Sequence, residues 1–430
     1  MSVPAKLSAW WLADPASPVR IGEVHLLPGQ KHCVFAFNGE IPASWISPHP
    51  LNARNEWLPL GDRGLPPFLE DCCPDRWGQL VIRKIEKPAR LAPIDYLYMA
   101  GDGRFGALGF SADDSRYIPC ESSPALPLES LEEIDTLIRR IRAGEKVDER
   151  QRRLIRPSKT LGGARPKTQV VIDGTLWIAK FPQADDPADI GLVEYASNRL
   201  QIECGIDAVD CDIKRIPSGH VFLTRRFDRV GNARLHCVSA KTMMLAQDAS
   251  LEDLYSYLLL ADGLRTADSR EAKNGCRELF RRMIFNALMD NTDDHEKNHS
   301  LVLHDGQWKL SKSYDALPQL TGLGAQAMSI GSAGTTVDMA NMLSAHARFL
   351  LKEKEARSIC CEVAKQIDSW KALFAGHGIS SADIETIEQF VDRGDLLSIR
   401  RDIRRSFAGV DCSVQEDASP PTGRVAPPRG

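Results

Sequence analysis

Long apolar runs are absent from this 430-residue chain. No stretch approaches the ~18 consecutive apolar residues that a membrane-spanning helix needs, and the N-terminus shows no basic start leading into an apolar core. A cytoplasmic protein that meets no membrane is therefore expected. The spacing Cys-x-x-Cys is also missing: the 11 cysteines are scattered, and only Cys72-Cys73 and Cys360-Cys361 are adjacent. An odd number without ligand spacing points to free buried thiols rather than to disulfides or a zinc site. Charge of one sign is scarce as well. A formal net charge of -4 gives no global pull toward nucleic acid. The local basic run of Arg139, Arg140, Arg142, Arg150, Arg152, Arg153 and Arg156 is diluted by Glu145, Asp148 and Glu149, and it reads as a solvated helix face and linker. Finally, no P-loop is present. Lys167-Thr168 looks like the end of one, but Pro166 stands where that motif needs Gly, and a strand rather than a helix follows.

What is present suffices for two or three domains, with 43% hydrophobic residues to fill their cores. Residues 1–125 alternate short β-type runs with turns, as in Ser8-Ala-Trp-Trp-Leu and Cys33-Val-Phe-Ala-Phe, and read as a small β-rich unit. Within it a helix is expected after Pro74-Asp-Arg-Trp-Gly, capped by Asp75, and another over Pro93 to Met99. Residues 126–159 give an amphipathic helix through Leu131, Ile134, Leu137, Ile138 and Ile141, then a charged linker from Lys146 to Lys159. Residues 160–235 hold a Gly-containing loop, two β-runs joined by Asp173-Gly174, a helix from Gly191 to Cys204 and two more β-runs. Residues 236–411 are mainly helical, with helices over Leu251 to Leu260 and Cys276 to Asp290 and another strung through Phe349, Leu350, Leu351 and Ala356. The tail 412–430 is rich in Pro, Gly, Ser and Arg and is expected to be disordered.

The stretch Asn291-Thr-Asp-Asp-His-Glu-Lys-Asn298 crowds polar groups between an apolar helix and a hairpin turning at Asp305-Gly306. Residues equidistant from a hairpin turn become neighbours, so Asn298 and the segment Ser313 to Asp315 are expected at its open end. An amide oxygen and a carboxylate there suit Mg²⁺, which takes one or two protein oxygens together with phosphates and water. Asp293, just upstream, could accept the proton of an attacking hydroxyl. Asp290 and Asp294 read equally as helix-end and loop solvation. His295 is either a metal ligand or a brace of the loop; Lys297 contacts phosphate or pairs with carboxylates. In the other half, Gly162-Gly163 allows backbone amides near a phosphate, while Arg165 and Lys167 add positive charge. Lys180 ends the next strand, with Glu194 as a partner on the following helix, although an ordinary strand-end lysine fits too. Arg225, Arg226 and Phe227 lie where the sheet passes to the helical part; the backbone there could bind adenine, or Arg226 and Asp228 form a structural ion pair.

Taken together, these motifs resemble the HipA family of serine/threonine kinase toxins from type II toxin-antitoxin modules. The resemblance rests on Pro74-Asp-Arg-Trp-Gly, Leu161-Gly-Gly-Ala-Arg-Pro-Lys167, Arg226-Phe-Asp-Arg229, Asn291 through Asn298 and Tyr314-Asp315. It implies Asp293 as catalytic base, and Asn298 and Asp315 as Mg²⁺ ligands. It implies Gly162, Gly163, Ala164, Arg165, Pro166, Lys167 and Lys180 at the ATP phosphates, with Arg225, Arg226, Phe227, His295, Glu296, Lys297, Asn298, Tyr314 and Asp315 completing the nucleotide site. Family members can autophosphorylate a Ser before the Gly loop; here Thr160 and Ser158 stand nearest that position. The implied partners are a HipB-like helix-turn-helix antitoxin, operator DNA through that antitoxin, and a protein substrate such as an aminoacyl-tRNA synthetase. The expected fold is α+β: a two-lobed protein-kinase-like fold with a small β-rich N-terminal subdomain and a mainly helical C-terminal lobe. A small-molecule kinase and a catalytically weak antitoxin-binding corepressor remain the competing functions.

Overall fold

The structure, a computed structural model, describes residues 3–406 apart from 30, 49–55, 58–63, 88–89, 121–124, 161–162, 246–254, 268–269 and 323–324. The expected tail, the start of the helix placed at Leu251, and Leu161 and Gly162 lie outside the described residues.

Alternation of apolar and polar residues builds the first sheet, an antiparallel one in the order Glu56–Trp57, Cys33–Phe37, Val19–Leu26, Lys6–Trp11, Leu108–Ser111. The helices Arg76–Ile85 and Pro93–Met99 follow as their patterns require. Asp75 occupies the N-cap position of the first, and its carbonyl accepts the Gln79 N–H at 2.8 Å, but its side chain makes no cap bond, contrary to the capping expectation, because the carboxylate is drawn elsewhere. The charged segment that reads as a linker has regular structure of its own. Asp148 caps a short helix, Glu149–Ile155, by accepting the Gln151 N–H at 2.9 Å, and a tight helical turn, Arg156–Thr160, follows with Ser158 and Lys159 buried. Charge density concealed a local cap and a buried edge.

The second sheet runs Leu126–Pro127, Lys167–Ile172, Thr175–Lys180, Gly219–Arg225, Cys211–Ile216. Asp173 and Gly174 both take positive φ, 48° and 72°, which is the geometry a two-residue hairpin demands. One face of this sheet packs Val170, Ala179 and Leu223 against the helices Arg76–Ile85 and Leu131–Arg142. On the other face lies the helix Ile190–Glu203, and Gly191 lets it approach so closely that a Cβ there would sit 2.1 Å from the His220 carbonyl oxygen. A third sheet, His236–Ser239, Ser300–His304, Gln307–Leu310, sits among the helices Tyr257–Ala267, Ala272–Leu288, Glu353–Ile367 and Gly394–Ser406. Leu350 adopts φ 58°, in the left-handed region, and breaks the helix expected through Phe349 to Ala356; the helix restarts at Glu353.

One apolar core runs from Leu7 and Phe35 of the first sheet through Phe280 and Leu301 to Ile403. His236 lies buried where these parts meet, its Nε2 donating to the Ile46 carbonyl at 2.8 Å and its Nδ1 facing the Ala107 N–H at 3.5 Å. Only the neutral ring satisfies both bonds, and burial lowers its pKa to about 4. Because the folded value lies below the unfolded one, the stability it contributes is present above pH 6.5 and is lost as pH falls toward 4. The loss is on the order of 3 kcal/mol. Urea midpoints measured across that interval are expected to drop more steeply in the wild type than in His236→Gln; parallel profiles would refute this.

Candidate active site

The helix Ala272–Leu288 buries Leu279, Phe280, Met283, Ile284 and Ala287, then stops as Asp290 turns to φ 56°. The loop that follows is held by its own bonds. Lys297 N–H donates to His295 Nδ1 at 3.2 Å, Asn298 N–H to the His295 carbonyl at 2.9 Å, and the Asn298 amide to the Asp293 carbonyl at 3.3 Å. Beneath it, buried Asp294 accepts from His299 Nε2 at 3.1 Å and from the Tyr257 hydroxyl, which in turn receives the Asn286 amide at 2.9 Å. Burial works against ionisation of Asp294, yet His299 and Tyr257 hold it below the usual carboxylate range. Asp290 pairs with Arg393 at 3.0 Å. That leaves Asp293 exposed at the surface of the loop, its carboxylate making no hydrogen bond to a described residue. Partial burial raises its pKa; His295 pulls against the shift, while Asp315 and Asp294 add to it.

The hairpin register pairs Leu301 with Leu310, but the ladder ends where Ser311 N–H meets the Ser300 carbonyl at 2.8 Å. Ser313 then crosses to the other unit, donating to the Asp207 carbonyl at 2.7 Å and accepting the Val209 N–H at 2.9 Å. Tyr314 ties the strand back: its hydroxyl lies 2.6 Å from Ser300 Oγ and donates to the Lys297 carbonyl at 3.0 Å, with the ring stacked on Phe227. Asp315, at φ 60°, consequently meets Lys180, whose Nζ is 2.6 Å from Asp315 Oδ1 and 2.5 Å from Glu194 Oε1. The Lys180 ammonium holds Asp315 well below the ordinary carboxylate range. Lys167 is the register partner of Lys180, so both side chains stand on one face of the hairpin; burial, then its neighbour's charge, lowers the Lys167 pKa to about 8. The two ammonium groups stand side by side, Lys180 already paired with the carboxylates of Glu194 and Asp315.

Gly163 curls over this pair at φ 86°, and a Cβ on it would stand 2.4 Å from Lys167 Nζ. Gly162 and the Thr160 side chain fall outside the described residues, Ala164 is exposed, and Pro166 O accepts the Phe181 N–H at 2.9 Å. Arg165 is not directed at the anion site: it grips Asp186 in a fork at 2.8 and 2.7 Å and reaches the Phe181 carbonyl. Arg226 is likewise consumed, by Asp228, Gln169 and the carbonyls of Gly103 and Arg104, while Arg225 reaches Asp210 at 3.4 Å at the surface. Glu296 is buried, and Lys297 pairs with Asp75 at 3.2 Å and lies 3.9 Å from Glu70. Glu70 and Tyr257 carry no local signal in the sequence, while Asp294, which reads there as helix-end or loop solvation, is a buried acceptor, and Asp75, which reads as a cap, holds Lys297. For Asp75, Pro74-Asp-Arg-Trp-Gly was the available signal, interpreted locally.

Among the described residues no three His, Cys, Asp or Glu side chains gather as a metal site. The oxygen donors that the sequence singles out are the amide of Asn298, whose nitrogen bonds the Asp293 carbonyl at 3.3 Å, and the partly exposed carboxylate of Asp315; oxygen donors of this kind suit an ion that shares its shell with phosphates. Residues 159–371 match the family model of the HipA-like C-terminal domain, a span that takes in Lys180, Asp293, Asn298 and Asp315. The chain belongs to the HipA family. Its structure is similar to that of HipA from Shewanella oneidensis MR-1, solved as a toxin-antitoxin complex of HipA, HipB and operator DNA. The TM-score is 0.64 at 17% identity, covering 93% of this chain and 99% of that one. The Helicobacter pylori proinflammatory kinase CtkA aligns with a TM-score of 0.45 at 11% identity over 58% of this chain and 93% of that one. No curated protein matches. The HipA likeness extends over the first sheet as well, beyond the span of the family model, and the fold is α+β and HipA-like. Among the described residues no helix is long and apolar enough to cross a membrane.

Proposed function

We propose that this HipA family chain is an ATP- and Mg²⁺-dependent serine/threonine protein kinase acting as the toxin of a type II toxin-antitoxin module in the cytoplasm. The observation that carries the reading is Lys180, which bonds Glu194 in its own unit and Asp315 in the helical one, with Asp293 open to solvent nearby. Lys167 and Lys180 bind the phosphate oxygens of ATP, and Glu194 fixes the direction of Lys180. Asn298 and Asp315 would hold Mg²⁺, which when bound neutralises charge on the phosphates. Asp293 accepts the proton of the substrate hydroxyl, and Tyr314 and Phe227 wall the site. A HipB-like helix-turn-helix antitoxin, bound to operator DNA, is the proposed partner, supported by the composition of the Shewanella complex. The substrate is a protein, an aminoacyl-tRNA synthetase being the candidate that the family resemblance offers. If Ser158 accepts phosphate, its turn must first open, since the residue is fully buried.

Purified protein given labelled ATP, Mg²⁺ and a cell lysate is expected to label a discrete set of proteins on Ser or Thr. Lys180→Met is expected to lower that rate about a hundredfold or more, since a preorganised charge at the phosphates is removed. Labelling that survives Lys180→Met, or that falls only on small molecules, speaks against the protein-kinase reading.

A further inference from the structure

Asp75 heads the helix Arg76–Ile85, yet its carboxylate points away from that helix. Its Oδ2 accepts the Gly163 N–H at 3.2 Å, and its Oδ1 takes Lys297 Nζ at 3.2 Å. Trp77 approaches the same loop: its N–H donates to the Gly163 carbonyl at 3.2 Å, and its indole Nε1–H donates to the Lys167 carbonyl at 3.0 Å. Both backbone polar groups of Gly163 are thus bonded to the N-terminal unit. Through Lys297 the same carboxylate reaches the loop that carries Asp293 and Asn298. This acidic edge is itself anchored. Glu70 lies 3.0 Å from Lys241 Nζ, and Asp71 accepts from Ser239 N–H at 2.7 Å, Ser239 Oγ at 2.6 Å and Thr242 Oγ1 at 2.7 Å.

We propose that Asp75 is a positioning residue. It sets the Gly loop against the Asn291 to Asn298 loop, so that the nucleotide site is assembled only while the N-terminal unit is docked; the inference rests on the kinase reading above. The physical case is threefold. Glycine in a loop has more backbone freedom to lose than any other residue, so a loop built on it must be held by bonds from outside. A carboxylate accepting a backbone N–H gives a charge-assisted bond, about twice as strong as a neutral one. Lys297 neutralises the carboxylate, which would otherwise repel the polyphosphate that Lys167 and Lys180 attract. The Gly163 N–H spent on Asp75 is then structural, and phosphate charge falls to the two lysines.

The test uses full-length Asp75→Ala and Asp75→Asn, with steady-state kinetics in ATP and amide hydrogen exchange. Asp75→Ala is expected to raise KM for ATP and lower kcat/KM roughly ten- to a hundredfold, as loss of alignment does. Asp75→Asn, which still offers an oxygen to the Gly163 N–H, is expected to recover the larger part of KM. A merely structural role would lower the melting temperature and leave kcat/KM of the folded protein unmoved. Unchanged or improved kcat/KM in Asp75→Ala overturns the proposal. Exchange keeps the two readings separable: if the wild type transfers no phosphate from ATP, the kinase reading fails. Faster exchange at Gly163 and across residues 291–298 in Asp75→Ala still supports the positioning role, and unchanged exchange rejects it.

Discussion

Asp293→Asn is expected to abolish phosphoryl transfer, by about 10²- to 10⁴-fold as removal of a general base does, while leaving the protein folded and able to bind nucleotide. The separation of effects follows from the position of the side chain. It is exposed and makes no hydrogen bond to a described residue, so its replacement should change stability by no more than ~0.5 kcal/mol. The lysine pair and Asp315, which the kinase reading assigns to the phosphates and the metal, are untouched by it. The upward shift of the Asp293 pKa fixes the sign of the pH dependence. A base must be ionised to act, so kcat/KM is expected to fall as pH drops, from a midpoint above the ordinary carboxylate value of 3.8. Partial burial and the neighbouring Asp315 charge set that midpoint, so Asp315→Asn should move it downward even as it weakens transfer. Transfer that persists in Asp293→Asn within a factor of a few removes Asp293 from the chemistry. A variant that also fails to bind ATP would place it in the nucleotide site.

What could be read beforehand divides by range. The Lys167 to Lys180 hairpin, its Asp173-Gly174 turn and the helix bearing Glu194 lie close in sequence, and alternation, turn chemistry and helical period announce them. The hairpin at Asp305-Gly306 was legible for the same reason. Past its open end, Tyr314 does return to Lys297 and Ser300, but Ser313 pairs with Asp207 and Val209, a partner that no local period encodes. Asp75 reads as a helix cap because the residue sits at a helix start; the partners of its carboxylate, Gly163 and Lys297, stand 88 and 222 positions away. Arg165 looked like a phosphate ligand by neighbourhood alone, and only the fold brings Asp186 to claim it. The charged stretch before the Gly loop misled in the opposite direction. Composition reads as a linker, whereas the Asp148 cap and the burial of Ser158 show a short helix and a packed turn within it.

The second large effect is on stability and concerns Asp228, two residues beyond Arg226. Its carboxylate receives Arg226 Nε at 2.9 Å and Nη2 at 2.6 Å, Arg229 Nη1 at 2.6 Å and the Gly106 N–H at 2.9 Å. The two guanidinium groups also bond the carbonyls of Gly103 and Arg104, at 2.6 to 3.0 Å. One carboxylate therefore pairs with two buried cations and fastens the 103–106 turn of the N-terminal unit to the end of the second sheet. Burial opposes its ionisation, and Arg226, then Arg229, hold its pKa far down, so the anion persists at any pH where the protein works. Asp228→Asn leaves two desolvated positive charges with no counter-charge in the cluster, and the expected destabilisation is about 3 to 5 kcal/mol. That is a large part of the stability of an ordinary domain. Removing Arg226 as well should cost less than the sum of the single changes, because the second substitution relieves the charge stranded by the first. Urea unfolding of the two single variants and the double variant measures this coupling directly. Strict additivity, or a loss below about 1 kcal/mol in Asp228→Asn, would mean that water already solvates the cluster. The same cycle bears on the site, since Phe227 stands between the paired residues and stacks on Tyr314. A loosened 226–229 turn should free that stack, and ATP binding is expected to weaken along with the fold rather than independently of it.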